Sequence, residues 1–402
     1  MTPEEQLHII KSGIDTVVPE SLLLEKLKRG KALNIKLGVD PTAPDIHLGH
    51  AVPLRKLRQF QELGHQVTLI IGDGTALIGD PSGRNSTRPQ LTRQQIEANA
   101  KTYVDQAFKV LDPQKTTLRH NSEWILDLNM EKLLSLLSNF TVARILERDD
   151  FHKRYTSGQP IALHEFLYPV MQAYDSVVIG ADVELGGSDQ LFNLLAGREL
   201  MEKLGMEPQV ALTLPLLEGT DGVRKMSKSY GNYIGLTDAP FDMFGKVMSI
   251  PDELMVKYYR LASTESVAEI DRIEAGLAAG ELHPNKVKRA LARNIVTAYY
   301  DEASATAAEA DFDLKFKDHG FPEDAPTFVA DLTPAEDGTV YFAKLLADAK
   351  LVASTSEARR MIDQGAVKLN GQAVAAKTYT MEPAALEGAQ IQVGKKKFLR
   401  FV

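Results

Sequence analysis

The chain has 402 residues, of which 44% are hydrophobic and 25% are charged, and its formal net charge is −8. This length predicts two or three domains, and the composition is that of an ordinary globular protein. The absence of cysteine excludes disulfides, cysteine-ligated zinc and a thiol nucleophile. The acidic start and the lack of a long apolar run predict neither a signal peptide nor a membrane span, so we expect a cytoplasmic protein.

The first part of the chain alternates between strand and helix patterns. Residues 31–40 predict a strand, residues 50–64 a helix with apolar side chains at helical spacing, and residues 65–73 a buried strand. A strand–helix–strand unit of this kind predicts a parallel sheet with a right-handed crossover. The α/β pattern continues to about residue 230 with a strand near 116–118, a helix over 161–178 that Pro169 kinks or restarts, a strand at 182–187 and a helix over 191–205.

The later part of the chain changes character twice. From about residue 235 to 325 the pattern is mostly helical, and residues 321–338 contain three prolines and five acidic residues, which is typical of a linker. Residues 341–402 contain ten Lys or Arg against five Asp or Glu, a net charge of +5 that leaves −13 for the remainder. A basic C-terminal region in an otherwise acidic chain is typical of proteins whose basic region binds an anionic partner. Charge alone nevertheless favours a solvated surface with an uneven charge distribution.

The stretch H-x-G-H, His47 to His50, lies where the first strand leads into a helix. The histidines could be metal ligands, but no third ligand is near in the sequence, or they could be ordinary solvent-exposed residues. They could also face phosphates, because a helix N-terminus offers free N–H groups and Gly49 permits close approach of a ligand. A turn from a strand into a helix lies at the carboxyl ends of the strands, which is the edge at which parallel sheets bind ligands. The spacing alone leaves all three interpretations open.

A second candidate device is the loop GTDGVRKMSKSYGN, residues 219–232, which contains Lys225 and Lys228 among small and polar residues. Two lysines on a mobile loop can neutralise the developing charge of a polyphosphate. A solvated basic loop is the alternative. The usual phosphate-binding loops are missing, since GDGTALIGD departs from G-x-G-x-x-G at Leu77.

Six segments in sequence order make the chain resemble the tyrosyl-tRNA synthetase family of class I aminoacyl-tRNA synthetases. H-x-G-H and K-M-S-K-S resemble the class signatures, together with DPTAPDIHLGH, LIGDPSGR, YPVMQAYDS and ELGGSDQ. The resemblance implies an α/β fold with a Rossmann-like parallel-sheet catalytic domain, an α-helical domain and a small α+β RNA-binding domain. The implied boundaries are 1–232 for the catalytic domain with a helical connective insertion at about 110–165, 233–322 for the anticodon-binding domain, 323–339 for the linker and 340–402 for the RNA-binding domain.

The resemblance implies a tyrosine–tRNA ligase reaction. The tyrosine carboxylate attacks the α-phosphate of ATP and releases pyrophosphate, and the tyrosyl group then passes to the 3′-terminal ribose of tRNA(Tyr). Mg²⁺ is expected on the ATP phosphates, with no protein metal site and no bound organic cofactor. The implied ATP contacts are His47, His50, Lys225 and Lys228 around the reacting phosphates, together with Asp40, Thr42, Gly49, Gly187 and the ribose ligand Asp189.

Tyr168, Gln172 and Asp175 are spaced to share one face of a helix whose other residues are largely apolar. This stripe fits a buried polar pocket, with a partly exposed amphipathic helix as the alternative. By resemblance, Tyr168, Gln172 and Asp80 hold the substrate ammonium with support from Asn121, Asp175 accepts the tyrosine hydroxyl, and Gln190 contacts the substrate. For Asp189, an ordinary helix N-cap is an alternative role.

One departure concerns Lys36, two residues before Gly38, where many relatives carry a tyrosine that also reads the substrate hydroxyl. The lysine lies alongside the pocket or points away from it. A second departure is LFN after GGSDQ, where some relatives have tryptophan and glycine. Because position 36 is a lysine, the inference that the substrate is tyrosine, and not tryptophan, depends on Asp175 and on the second histidine of H-x-G-H.

Residues 354–374 resemble the small RNA-binding domain shared with a ribosomal small-subunit protein, the S-four type. A helix N-capped near Ser354–Ser356 would present Arg359 and Arg360, and Asn-Gly predicts a hairpin turn. The expected tRNA-binding residues are Arg359, Arg360 and Lys368, with Lys377, Lys395–Lys397 and Arg400 completing the basic face. The expected partners are tRNA(Tyr), L-tyrosine, ATP and a second copy of the chain that meets the connective helices, with no membrane.

Two other functions compete with this one. An enzyme that transfers an adenylyl group to another small acid could use the same H-x-G-H device, but the RNA-binding tail argues against it. A non-enzymatic RNA-binding protein would have no evident need for both K-M-S-K-S and the polar helix stripe.

Overall fold

The computed structural model describes residues 1–42, 46–81, 91–316, 321, 325–394 and 397–402. The chain divides into two compact units, Met1–Ala305 and Thr306–Val402. Parts of the segments DPTAPDIHLGH and LIGDPSGR, and the expected RNA contacts Lys395 and Lys396, lie outside the described residues. No helix among the described residues is long and apolar enough to cross a membrane.

A six-stranded sheet with the order β1-β6-β5-β2-β3-β4 forms the centre of the first unit. All neighbouring strands are parallel except β1, which pairs antiparallel with β6. Most residues of the inner strands are buried because helices cover the sheet, and the buried set includes the charged Lys36 and Glu184. The parallel pairing confirms the predicted α/β class. The strands are β1 Thr16–Val18, β2 Asn34–Val39, β3 Gln66–Ile71, β4 Thr116–His120, β5 Val183–Gly187 and β6 Val210–Leu214.

Helices surround this sheet and continue beyond it. Those up to β5 are α1 Pro3–Lys11, α2 Glu20–Lys28, α3 Leu48–Glu62, α4 Arg93–Ala107, α5 Ser122–Ile125, α6 Met130–Leu137, α7 Val142–Ile145, α8 Asp149–Thr156 and α9 Leu167–Ile179. Those after β5 are α10 Leu191–Lys203, α11 Pro240–Met248, α12 Met255–Ala262, α13 Val267–Ala278, α14 Pro284–Tyr299 and α15 Glu302–Phe316.

Helix α9 carries the predicted polar stripe and begins at Leu167. Pro169 therefore lies in its first turn, where the missing N–H costs no intrahelical hydrogen bond, so of the two alternatives the proline opens a new helix and does not kink one. A single 3-10 turn, Leu163–Phe166, precedes it. The helix ends at Gly180, whose φ of 61° is left-handed.

The long helical pattern over residues 283–305 forms two helices instead of one. The backbone of Tyr300 leaves the helical region, with φ −128° and ψ −110°. Asp301 then accepts a hydrogen bond from the backbone N–H of Ser304 over 2.7 Å. This local bond starts α15 and explains the break.

The second unit contains a five-stranded sheet with the order β7-β11-β10-β8-β9. Its elements are β7 Thr327–Phe328, α16 Phe342–Asp348, α17 Thr355–Asp363, β8 Val367–Leu369, β9 Gln372–Ala373, α18 Pro383–Leu386, β10 Gln390–Val393 and β11 Lys397–Phe401. The predicted hairpin joins β8 to β9 through Asn370 and Gly371, which both have positive φ as a tight primed turn requires. Strand β7 lies within the expected linker and pairs with β11.

Candidate active site

A cavity of about 310 Å³ opens at the carboxyl ends of the central strands, beside the start of α3. This is the edge at which parallel α/β sheets bind ligands, and the volume suits a small molecule. The structure brings most of the predicted site residues to its wall, namely Asp40, Thr42, Gly49, His50, Asp80, Asn121, Tyr168, Gln172, Asp175, Gly187 and Gln190. His47, Asp189, Lys225 and Lys228 lie outside this lining.

His47 and His50 form a stacked pair at the N-terminus of α3. Their ring centroids are 3.9 Å apart, with an interplanar angle of 27°. Burial, together with the neighbouring His50 and Lys228, lowers the pKa of His47 to about 3. Partial burial of its ring and the charge of Lys228 lower the pKa of His50 to about 4. Both imidazoles are therefore neutral near pH 7 and offer hydrogen bonds without a positive charge.

The loop that carries Lys225 and Lys228 is organised by a residue that the sequence analysis missed, Asn232. Its buried side chain accepts the backbone N–H of Ser227 over 2.8 Å and donates to the carbonyl of Lys225 over 3.2 Å. A Cβ on Gly219 would lie 2.3 Å from this amide, so the packing requires glycine there. The only signal in the sequence was an asparagine at the end of a glycine-containing loop.

The chain directly after this loop is hydrogen-bonded to α3, the helix that carries His50. The backbone N–H of Leu48 donates to the carbonyl of Ile234 over 2.9 Å, two residues beyond Asn232. Lys225 is exposed, whereas the Lys228 ammonium lies 5.8 Å from the ring centroid of Tyr233. Both lysines therefore lie on a loop whose C-terminal end is hydrogen-bonded to the start of α3, and this start contributes Gly49 and His50 to the cavity wall.

Asp40 and Tyr168 meet at the centre of the cavity. The Tyr168 hydroxyl donates to Oδ2 of Asp40 over 3.0 Å, and Thr75 donates to Oδ1 over 2.8 Å. A Cβ on Gly72 would lie 2.0 Å from Asp40 Oδ1, so only glycine leaves room for this carboxylate. Thr75 could not be recognised from the sequence, because a threonine in a short turn carries no pattern of its own.

Asp175 is buried and both of its oxygens are engaged. Trp124 donates its indole N–H to Oδ1 over 2.8 Å, and Asn121 donates to Oδ2 over 3.3 Å. Asn121 also accepts a hydrogen bond from the backbone N–H of Gly74 over 2.8 Å. Its amide therefore links Asp175 to the turn that follows β3. Burial raises the pKa of Asp175 to about 6, against the lowering effects of Lys36 and these donors.

Asp80 lies at the opposite end of the polar stripe. It accepts a hydrogen bond from Gln190 over 3.0 Å and forms an ion pair with the buried Arg148 at 3.2 Å. Arg148 also donates to Asn193 over 3.1 Å, and Asn193 donates to Gln172 over 2.9 Å. Arg148 and Asn193 were missed because an arginine just before a connective helix and an asparagine in α10 look like surface residues in the sequence.

Asp189 is exposed beside the cavity, close to Gly187. A Cβ on Gly187 would lie 2.7 Å from Asp189 Oδ1, so glycine lets the carboxylate approach the strand end. The N-cap position of α10 is Gln190, which leaves the alternative role of Asp189 as that cap unsupported. Among the described residues, no cluster of three His, Asp or Glu side chains is arranged to hold a metal ion.

The second unit presents the expected RNA-binding arginines on α17, whose N-cap is Ser354 as predicted. Arg359 lies against the rings of Tyr341 and Tyr379, at 5.5 and 5.1 Å from their centroids. The neighbouring Arg360 is exposed and lies 3.8 Å from Glu357. Arg360 is therefore the more available cation of the two, while Lys368 is half-buried on β8.

Comparison with known proteins agrees with this geometry. The family model of class I tRNA synthetases (W and Y) matches residues 28–317, and that of the tyrosine–tRNA ligase SYY-like C-terminal domain matches residues 318–401. Tyrosine–tRNA ligase 2 of Vibrio parahaemolyticus is 52% identical over 398 residues, covering 99% of this chain and 98% of the relative. The chain belongs to the tyrosine–tRNA ligase family.

Further relatives extend the match within this family. The tyrosine–tRNA ligase of Haemophilus ducreyi is 53% identical over 397 residues, covering 99% of this chain and 98% of the relative. Among solved structures, tyrosyl-tRNA synthetase of Archaeoglobus fulgidus in complex with L-tyrosine has a TM-score of 0.63 at 25% identity, covering 76% of this chain and 99% of that one. The family and fold inferred from the six sequence segments are confirmed.

Proposed function

We propose that the cavity binds L-tyrosine and ATP side by side, and that the chain activates tyrosine as an adenylate before transferring it to tRNA(Tyr). Family membership carries the reaction type. The observation that supports the residue roles is that one cavity has His50 and Gly49 in its wall together with Tyr168 and Asp175. These are candidates for the phosphate and amino-acid ends of a single reacting complex.

On the ATP side, the reaction needs positioning and charge stabilisation more than a protein nucleophile. Neutral His47 and His50 can donate N–H groups to phosphate oxygens, whereas Lys225 and Lys228 supply positive charge. In the proposed transition state the loop of residues 219–232 brings both lysines towards the phosphates. Mg²⁺ carried on the phosphates would neutralise further charge, held by ATP oxygens and not by a protein cage.

On the amino-acid side, the proposed substrate lies along the polar face of α9. Its ammonium contacts Asp80, Tyr168 and Gln172, and its hydroxyl donates to Asp175. Phenylalanine would leave the buried Asp175 carboxylate without that donor, and tyrosyl-tRNA synthetases are the standard example of discrimination by this effect. Asp40, Thr42, Gly187 and Asp189 are proposed to contact the nucleotide, and Gln190 the substrate.

We further propose that the chain acts as a homodimer through its connective helices. Apolar side chains are exposed along this region, including Leu134 at 60% and Leu163 at 83% exposure. Apolar side chains concentrated in one region are typical of a protein interface. The other exposed apolar members are Leu126, Met130, Val142 and Tyr155.

The C-terminal unit is proposed to bind tRNA(Tyr) through Arg360, Arg359 and Lys368, with phosphates as the main ligands. We also propose a cytoplasmic location, because the tRNA substrate is charged there.

The experiment that tests the reaction is ATP–pyrophosphate exchange with each proteinogenic amino acid, in the presence of Mg²⁺ and without tRNA. We expect exchange with tyrosine alone. Exchange with tryptophan would contradict the pocket assignment, and exchange with no amino acid by folded protein would contradict activation itself. Omitting Mg²⁺ in a parallel assay tests the proposed metal requirement.

A further inference from the structure

The most unusual group near the cavity is Lys36, a fully buried cation that the reaction does not use. Its side chain has 0% exposure. It is not part of the cavity lining. A buried lysine is costly unless its charge and its hydrogen bonds are satisfied, so its surroundings need an explanation.

Lys36 is satisfied by three partners on two elements. Its ammonium lies 2.9 Å from Oε1 of Glu184, which is 1% exposed, and donates to Ser176 Oγ over 2.7 Å and to the carbonyl of Gln172 over 3.0 Å. Lys36 and Glu184 are direct neighbours in the parallel pair β2–β5. The register of these strands therefore places the two charges side by side beneath α9.

The partners on α9 are the residues that flank Asp175. Lys36 holds the backbone at Gln172 and the side chain at Ser176, which is one helical turn further on and directly follows Asp175. Glu184 completes the arrangement, because it accepts hydrogen bonds from Gln172 Nε2 over 3.1 Å and from Ser176 Oγ over 3.0 Å. Lys36 and Glu184 thus hold, from the sheet side, the turn of α9 that carries Asp175, the carboxylate proposed to accept the substrate hydroxyl.

From this geometry we propose that the Lys36–Glu184 pair is a positioning device for tyrosine specificity. It fixes the 172–176 turn of α9 so that Asp175 and Gln172 face the substrate, and its cation favours the ionised form of Asp175 as hydroxyl acceptor. The pair thereby acts from behind the cavity wall, since neither Lys36 nor Glu184 is part of the lining. This inference rests on the proposed function and adds a specificity-determining residue to it.

A second buried lysine provides a matched control. Lys26 on α2 is 1% exposed and pairs with Asp182 at 2.6 Å, just before β5, in the same sheet layer. Within the described part of the chain, it contacts neither α9 nor the cavity lining. A merely structural role of Lys36 predicts that Lys36→Met and Lys26→Met have the same consequences, namely lower stability and unchanged amino-acid selectivity.

The test measures pyrophosphate exchange by the full-length wild type and variants, with tyrosine and with phenylalanine, across pH. For Lys36→Met we expect kcat with tyrosine to change little, and the tyrosine KM to rise by about 10-fold or more, so that the tyrosine-to-phenylalanine ratio of kcat/KM falls by a similar factor. The pH at which tyrosine binding weakens should move upward, because Lys36 lowers the pKa of Asp175. Lys26→Met should alter neither the ratio nor this pH.

A folded Lys36→Met variant with wild-type selectivity and pH profile would overturn the inference. Ser176→Ala removes one of the three groups that hold Lys36 and leaves the ion pair in place, so it decides the question if Lys36→Met does not fold. We expect it to lower the selectivity ratio by about 3-fold, and an unchanged ratio would count against the inference. Wild-type protein that fails to exchange with tyrosine would contradict the proposed function instead, so the two failures are distinguishable.

Discussion

Trp124 donates its indole N–H to Oδ1 of Asp175 over 2.8 Å, and this is the only tryptophan in the chain. The bond joins the short helix after β4 to α9, and it engages one oxygen of the carboxylate. The other oxygen accepts Asn121 over 3.3 Å, a longer bond that a substrate hydroxyl can complement. We therefore predict that the tryptophan affects amino-acid specificity through Asp175, without contacting the substrate.

Trp124→Phe tests this relationship with little change in packing. Loss of the donor should loosen Asp175 and lower the tyrosine-to-phenylalanine ratio of kcat/KM by about 10-fold or more, the scale of one hydrogen bond to a charged group. The ratio is measured by pyrophosphate exchange. Phe342→Leu, a change at a buried aromatic residue on α16 of the second unit, serves as the control and should leave the ratio unaltered. Equal ratios for wild type and Trp124→Phe would show that the indole only fills space.

Tyrosine affinity should depend on pH through Asp175. Burial raises the pKa of this carboxyl to about 6, with Glu184 acting in the same direction and Lys36, Trp124 and Asn121 in the opposite one. Below that pH the group is protonated and is a poorer acceptor, so the tyrosine KM should rise as pH falls from 7 to 5. We expect a rise approaching 10-fold per pH unit at the acidic end, and no matching change for phenylalanine. A tyrosine KM that is constant over this interval would contradict the assigned acceptor.

These two predictions rest on contacts that differ in how far the amino-acid sequence could reach them. The segment β2–α3–β3 and the stripe on α9 follow from apolar periodicity, and this periodicity suffices to place Tyr168 and Asp175 on one helix face. Trp124 could not be placed, because its bond to Asp175 joins residues 51 positions apart and no local pattern records such a pairing. The sequence also left open whether the Lys36 side chain lies alongside the pocket or points away from it. Only the register of β2 against β5 shows that Glu184 lies beside it.

Removal of the Lys228 charge should slow activation and leave amino-acid binding intact. The His47 and His50 rings beside it are neutral, so under the proposed function Lys228 and Lys225 supply the positive charge for the phosphates. Lys228→Ala should lower the rate of tyrosyl-adenylate formation by about 100-fold, as for loss of one transition-state donor, with an unchanged tyrosine dissociation constant. Single-turnover kinetics and equilibrium binding measure the two quantities. Lys31→Ala, an exposed control, should change neither. Weaker tyrosine binding with a normal rate would refute this role.

The proposed dimer should dissociate when its apolar face is charged. Leu134→Glu places a carboxylate among the exposed apolar side chains of the connective helices, and burial of that charge in an interface costs more than the contact returns. Sedimentation at micromolar concentration should show half the wild-type mass. Leu204→Glu, at a 48% exposed position after α10, is the matched control and should sediment as the wild type does. Identical masses for wild type and Leu134→Glu would place the interface elsewhere or exclude it.

The C-terminal unit should contribute to tRNA binding and not to activation. Arg360→Ala should weaken binding of tRNA(Tyr) and lower the slope of log affinity against log salt by about one, as expected for one phosphate contact. Pyrophosphate exchange without tRNA should be unaffected. Arg360→Lys keeps the charge and should retain most of the affinity. A loss of exchange activity in Arg360→Ala would assign the arginine to a different task.

The amide of Gln172 is hydrogen-bonded on both sides, to Glu184 through its nitrogen and to Asn193 through its oxygen, and Asn193 also donates to Gln190. One chain of hydrogen-bonded amides and carboxylates thus crosses β5, α9 and α10. Under the proposed function this chain both contacts the substrate ammonium and supports the residue that accepts the hydroxyl. Attempts to reshape the pocket for an unnatural amino acid by exchanging one residue at a time will leave a buried donor or acceptor stranded at each step. Productive libraries for such redesign should vary positions 172, 184 and 193 jointly.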